Sequence, residues 1–165
     1  MAGIFFGKGL KMILLFAAVI ISFSACRQLD IYEKNVSIPN YQWKNNFAPG
    51  FDFGITDTSS QYNIFIVLRH TDAYRYNNIW LNVTGMMQNK DTLVSMPHLE
   101  LQLGKEDKGW EGTGMDDIWE VRKPITQGPV QFKKTGIYHF TVAQIMREDP
   151  LANVMSVGMR VERVR

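Results

Sequence analysis

Three stretches of this 165-residue chain gather polar and aromatic side chains. The third of them, Gln144 to Gly158, reads as an acidic, proline-containing loop before a final strand; the other two carry the residues best suited to chemistry or recognition. The first runs Arg69-His70-Thr71-Asp72-Ala73-Tyr74-Arg75-Tyr76-Asn77-Asn78-Ile79-Trp80. Tyrosine and tryptophan offer flat apolar faces with polar edges, and beside Arg, Asp and Asn they suit sugar or protein recognition. His70, Asp72, Tyr74, Tyr76 and Trp80 are therefore candidate partner-binding residues. The plainer and more frequent use of such residues is structural: Tyr74 and Tyr76 would seal a sheet edge while Asp72 accepts turn hydrogen bonds. The second stretch, Gly109 to Glu120, holds the adjacent carboxylates Asp116 and Asp117, followed by Trp119. Paired carboxylates can work as acid and base or hold a cation. Neighbouring side chains on a strand leave on opposite faces, so these two diverge unless a turn or bulge gathers them. A calcium loop needs ligands at alternate positions, and that pattern is missing. No metal site is expected. Gly112 and Gly114 read as a Gly-rich bulge that positions Trp119, and Asp116, Asp117 and Trp119 join the candidate partner surface.

Catalytic templates fail in turn. The sequence has no Gly-x-Ser-x-Gly elbow, no His-Glu-x-x-His and no phosphate-cradling Gly-rich loop with its lysine. His70, His98 and His139 lie too far apart in sequence for two to serve one ligand set on one element. No enzymatic activity is expected.

The remaining reactive side chain is Cys26, the one cysteine of the chain. Lys8 and Lys11 precede an unbroken apolar run from Met12 to Ile21, too short to span a bilayer of about 30 Å and of signal-peptide length. Ser24 and Ala25 then lead directly into Cys26, with Phe23 where leucine is commonest in such sites. Small residues before a cysteine, behind an apolar run, look like a lipobox. Cleavage would leave residues 1–25 as a lipoprotein signal peptide and put diacylglycerol and an N-acyl chain on the Cys26 thiol and amine. Each buried methylene contributes about 0.8 kcal/mol, so several acyl chains anchor stably where one does not. No other cofactor is expected.

Removing residues 1–25 takes away Lys8, Lys11 and no acid, so 16 Lys and Arg then balance 16 Asp and Glu. A neutral domain without a basic stripe makes nucleic acid an unsuitable partner. The 140 residues left make one domain, stabilised by an apolar core rather than by disulfides. Residues 26–35 read as the lipidated cysteine and a tether, with Leu29 and Ile31 beginning to engage the domain.

From Val36 onward the apolar residues repeat with period two. Phe51, Phe53 and Ile55 alternate with polar or small residues, as do Ile79, Leu81 and Val83; Leu99, Leu101 and Leu103; Tyr138, Phe140 and Val142; and Met155, Val157, Met159 and Val161. Tyr62 to Leu68 is apolar on both faces, as in a central strand covered on both sides. Thr141 to Arg147 fits a short helix or a strand end. Gly158, inside a strand, predicts close approach of another backbone. Seven to nine short strands separated by turn signals predict an all-β domain over residues 36–165, a single antiparallel β-sandwich of jelly-roll or immunoglobulin-like type.

The lipobox together with Glu33-Lys34-Asn35, Ile38-Pro39-Asn40-Tyr41-Gln42-Trp43, Arg69 to Tyr74, Asn77-Asn78-Ile79-Trp80, Gly114 to Trp119 and Asn153 to Gly158 resembles the gliding-motility lipoprotein GldH family of the Bacteroidota. The resemblance covers nearly the whole chain in order. It implies a non-enzymatic envelope lipoprotein needed for gliding motility and for the type IX secretion machinery. The partners it implies are the membrane, through the lipid, and other gliding or secretion proteins. Arg27-Gln28-Leu29-Asp30 lacks the acidic run of surface-exported lipoproteins, which favours an outer-membrane anchor with the domain facing the periplasm. Two readings of other classes stand beside it: a glycan- or peptidoglycan-binding module using the exposed aromatics, and a hydrolase using Asp72, Asp116 or Asp117.

Overall fold

The computed structural model describes residues 31–87 and 92–164. The leader with Cys26, residues 88–91 and Arg165 lie outside the described residues. In chain order the strands are β1 (Ile31–Ser37), β2 (Gln42–Trp43), β3 (Gly50–Ile55), β4 (Tyr62–Thr71), β5 (Asn78–Met87), β6 (Thr92–Gln102) and β7 (Gly104–Lys105). They continue with β8 (Gly109–Trp110), β9 (Thr113–Met115), β10 (Ile118–Pro124), β11 (Gly136–Gln144), β12 (Leu151–Ala152) and β13 (Val154–Arg163). A 3-10 turn at Pro39–Tyr41 is the only helical element among the described residues, and no helix there is long and apolar enough to cross a membrane.

Two antiparallel sheets carry the fold, ordered β1-β13-β4-β10-β9 and β3-β11-β5-β6. Eight of the described strands have six or more residues. Numbered by those eight alone, the sheets run first-eighth-third-sixth and second-seventh-fourth-fifth, the interleaved order of a jelly roll. The sandwich expected from alternation is borne out, and the jelly-roll alternative is the one the strand order satisfies. The core between the sheets is built from the predicted inward phases: Phe51, Phe53, Ile55, Ile79, Leu81, Val83, Tyr138, Phe140 and Val142 are all buried. Phe53 holds the aromatic centre, with Tyr32, Phe132, Tyr138 and Phe140 rings all within 5.9 Å of it.

Several local expectations need correction. The first strand begins at Ile31, inside the segment read as a tether, and pairs residue by residue with β13 from Ile31↔Glu162 to Ser37↔Ser156. Edge position explains the misreading: β1 alternates weakly because most of its side chains are exposed. A β-bulge between Val154 and Ser156 shifts the phase of β13, so Val154 is fully buried and Met155 only half-buried. Of the two readings open for Thr141 to Arg147, the strand end is the one found, since β11 runs on through Thr141 to Gln144.

The outer face of the five-stranded sheet is held by charge. Glu33 accepts a 2.6 Å hydrogen bond from Arg160, which also donates to Glu162 at 2.8 Å, and Arg122 lies 3.8 Å away. The Arg160 hydrogen bond holds the Glu33 carboxyl below the usual carboxylate range. Beneath this network Gly158 has no room for a side chain, since a Cβ there would run into Asn35 Oδ1 and come within 2.9 Å of Lys34 O. The close approach predicted for Gly158 is thus the neighbouring strand together with a side chain reaching over it.

Candidate functional site

Strand pairing draws the two chemistry-bearing stretches to one end of the five-stranded sheet. Trp119 stands opposite His70 and Ile118 opposite Thr71 in the β10–β4 ladder. In the β9–β10 ladder Ile118 pairs with Met115, which leaves Asp116 and Asp117 as the two-residue turn between them. Asp116 takes a left-handed φ of 55°, a conformation that Asp and Asn tolerate better than most residues. The Asp72 amide donates to Asp117 O at 2.8 Å and the Thr71 amide to Asn153 O at 3.1 Å. Asn153, itself left-handed at φ 68°, returns a side-chain hydrogen bond to Ala73 O at 2.9 Å. Three loops are therefore tied backbone to backbone.

The three carboxylates on these loops are exposed, and none accepts a hydrogen bond from a described residue. Asp72 engages its neighbour through its main chain, not through the turn-accepting carboxylate that the plainer reading supposed. Met115, 72% exposed, adds an apolar tip beside Asp116. A ridge of like charge with an apolar tip can meet a basic partner surface. Among the described residues no three His, Cys, Asp or Glu side chains are grouped to hold a metal ion.

His70 and Tyr74 do not belong to that surface. Both are buried, at 0% and 3% exposure, so neither side chain is open to a partner. The reason is Trp110, delivered by the short β7–β8 hairpin, whose ring packs edge-on against His70 at 4.5 Å and tilted against Tyr74 at 6.2 Å. His70 Nδ1 donates to Thr71 O at 2.8 Å, which leaves Nε2 as a buried lone pair without a partner among the described residues. Burial pushes the His70 pKa down. Tyr74 donates to Asn78 O at 3.0 Å, and burial holds its phenol far above the ordinary tyrosine range. Tyr74 packs as the sealing reading expects, with the Tyr76 ring edge-on against it at 5.8 Å, and His70 is closed in beside it.

Trp119 is half-buried, sharing the inward phase of Val121 and His70. Its indole lies over Gly114, where a Cβ would come within 2.8 Å of the ring. Gly112, at φ 92°, passes so close to Glu120 O that no side chain fits. The glycines position Trp119 as the sequence predicted, but by making room in a hairpin, and they press its face against the protein.

Tyr76 and Trp80 lie apart from the carboxylate ridge. They line a shallow depression of about 720 Å³ with Asn78, His98, Ile145, Met146 and Arg147. Trp80 is 36% exposed. Tyr76 donates to Glu148 Oε2 at 3.0 Å, and that hydrogen bond raises its pKa. The depression is framed by the chain leaving β11, where the Ile145 amide donates to Trp80 O at 3.0 Å and the Trp80 amide reaches Met146 Sδ at 3.3 Å. On its far side His98 is held at φ 58° by a hydrogen bond from its amide to Asn82 Oδ1 at 3.0 Å. Sequence reasoning singled out Tyr76 and Trp80 as site residues but gave His98, Met146 and Arg147 no such role. Nothing local marks those three, because only the β5–β6 and β11–β5 pairings assemble them.

Comparison with known proteins places this geometry in context. A family model described as GldH lipoprotein matches residues 30–161. The chain is 27% identical over 158 residues to the gliding motility lipoprotein GldH homolog of Christiangramia forsetii, covering 92% of this chain and 94% of that protein. It is 29% identical over 158 residues to the gliding motility lipoprotein GldH of Flavobacterium johnsoniae, with the same coverage. Among solved structures, the infectious bursal disease virus VP2 subviral particle aligns at TM-score 0.30 and 12% identity, over 82% of this chain and 33% of that one. Tomato aspermy virus aligns at TM-score 0.33 and 12% identity, over 94% of both chains. Likeness at that level carries no argument. The family match, by contrast, runs from the residue before β1 into the last strand, and the chain belongs to the GldH lipoprotein family.

Proposed function

We propose that this chain is a non-enzymatic lipoprotein, anchored through acylated Cys26 in the outer membrane and facing the periplasm, that takes part in assembling the gliding and type IX secretion machinery. Membership of a family whose relatives are named gliding motility lipoproteins supports the process. The observation that carries a partner-binding role is the ridge of exposed Asp72, Asp116 and Asp117, fixed by the 2.8 Å hydrogen bond from the Asp72 amide to Asp117 O. Carboxylates that take no part in holding the fold are available to a basic partner. The test replaces all three by asparagine in the native host. The triple variant is expected to melt within a few degrees of the wild type, since surface changes alter stability by no more than about 0.5 kcal/mol each. Gliding or secretion should be lost. A large drop in melting temperature would make the carboxylates structural, and unchanged function would remove them from the partner surface.

A second reading rests on the Tyr76–Trp80 depression. An exposed indole beside Asn, His and Arg is a platform for a sugar ring with hydrogen-bonding groups around it. Under that reading Trp80→Ala abolishes retention on peptidoglycan or another envelope glycan while leaving the melting temperature near that of the wild type.

A further inference from the structure

One cavity serves neither of these readings. It lies between the sheets, where the connection from Pro124 to Gly136 closes over β4 and β11 opposite β6, and encloses about 360 Å³. The size falls within the range of small-ligand sites. Its inner wall is apolar: Ile64 of β4, Tyr138 and Phe140 of β11, and Ile125 and Phe132 of the connection are all buried. Met87 and Met96 complete that wall at the β5–β6 side, and unbranched thioether side chains adapt to flexible apolar guests.

The covering connection is pinned rather than loose. Tyr62 and Val130 exchange amide-to-carbonyl hydrogen bonds of 2.8 Å in both directions, the Ile125 amide donates to Ile64 O at 3.0 Å, and Gln131 Nε2 donates to Thr58 O at 2.6 Å. The space is preformed. At its solvent side stand Lys133 and Lys134, both exposed and neither in an ion pair with a described residue. No carboxylate is among the residues lining the cavity.

We propose that this cavity binds the acyl chain of a single-chain anionic amphiphile, with the head group held by Lys133 and Lys134. The volume corresponds to about a dozen water-sized units, and a methylene is close to that size, so a chain of roughly twelve carbons fills it. The lysines select a negative head group over a neutral one. This site is independent of the carboxylate ridge.

The experiment titrates the full membrane-derived chain in lipid nanodiscs with 11-(dansylamino)undecanoic acid and displaces the probe with laurate or with dodecanol, empty nanodiscs giving the background. Saturable probe fluorescence above that background, displaced at least tenfold better by laurate than by dodecanol, is expected. From octanoate to laurate each added methylene should tighten displacement roughly threefold to fourfold. Lys133→Glu combined with Lys134→Glu, both on the surface, should weaken laurate about tenfold and leave dodecanol unchanged. Met96→Trp, which fills the cavity, should remove the saturable probe binding itself. If Met96→Trp fails to fold, the double charge reversal decides alone. Absence of saturable probe binding, or equal loss for acid and alcohol on charge reversal, would overturn the proposal.

Discussion

At the scale of single residues, the candidates divide by what surrounds them rather than by type. Asp72, Asp116 and Asp117 remain exposed because they occupy turns whose backbones are already satisfied by one another. His70 lies on the same strand end as Asp72, yet a hairpin brings Trp110 against it and closes it from solvent. Its environment makes a prediction about pH. Burial depresses the folded-state pKa, so the unfolded chain takes up a proton first as pH falls below the ordinary histidine value of about 6.5. His70 is therefore neutral in both states above that pH and costs stability below it, at up to about 1.4 kcal/mol per pH unit until its folded pKa is reached. His70→Phe should lose about 1 kcal/mol at pH 7.5 with the hydrogen bond to Thr71 O, and then fall less steeply than the wild type between pH 6.5 and 5. Thermal unfolding across that range checks it. Parallel curves would mean that the acid sensitivity lies elsewhere.

At the scale of elements, the strands are specified by side-chain phase and the close approaches by glycine. The pairing of β1 with β13 places Asn35 opposite Gly158, and the amide side chain occupies the space a Cβ would need. Val67 sits opposite Gly158 on β4 and is fully buried although it points away from the inter-sheet core. The apolar double face of Tyr62 to Leu68 thus has a partial explanation: side chains reaching across the outer face, not a further layer, cover it. Gly158→Val forces Asn35 and the Lys34 carbonyl apart and should cost about 3 kcal/mol, the upper range for overpacking. Chemical denaturation measures this directly. A loss below about 1 kcal/mol would show that β1 yields easily and that its pairing contributes little.

At the scale of the whole molecule, a jelly roll closes its core between two sheets and leaves loops at the ends to diverge. The three-loop junction lies at one end of the five-stranded sheet, while the Tyr76–Trp80 depression lies on the four-stranded sheet. The two surfaces can therefore be altered one at a time. Attachment is tested separately from both. Cys26→Ser should leave the protein unlipidated and extractable from membranes by high salt or carbonate, because its hold on the bilayer would rest on the acyl chains. A serine variant that is processed normally and resists extraction would remove Cys26 as the anchor.

What the sequence determined by itself is the inward face of the strands whose apolar residues alternate cleanly. Burial on a pleated strand follows a period of two, so Phe51-x-Phe53-x-Ile55 or Tyr138-x-Phe140-x-Val142 declares its core side without reference to any partner. Family membership was legible for a similar reason, since short motifs kept in order along the chain need no three-dimensional information. Partnership is another matter. The β-ladder hydrogen bonds come from main-chain groups that nearly every residue carries, so local composition does not say that β13 lies between β1 and β4 or that β10 borders β4. Those pairings set Asp72 against Asp117, while the β5–β6 and β11–β5 pairings bring Arg147 and His98 to Trp80, and the β7–β8 hairpin shuts His70 beneath Trp110. The bulge at Val154–Ser156 likewise turns Met155 out of phase, because one inserted residue reverses every face that precedes it. Chemistry-bearing residues were visible in the chain; which of them face solvent was decided by tertiary packing.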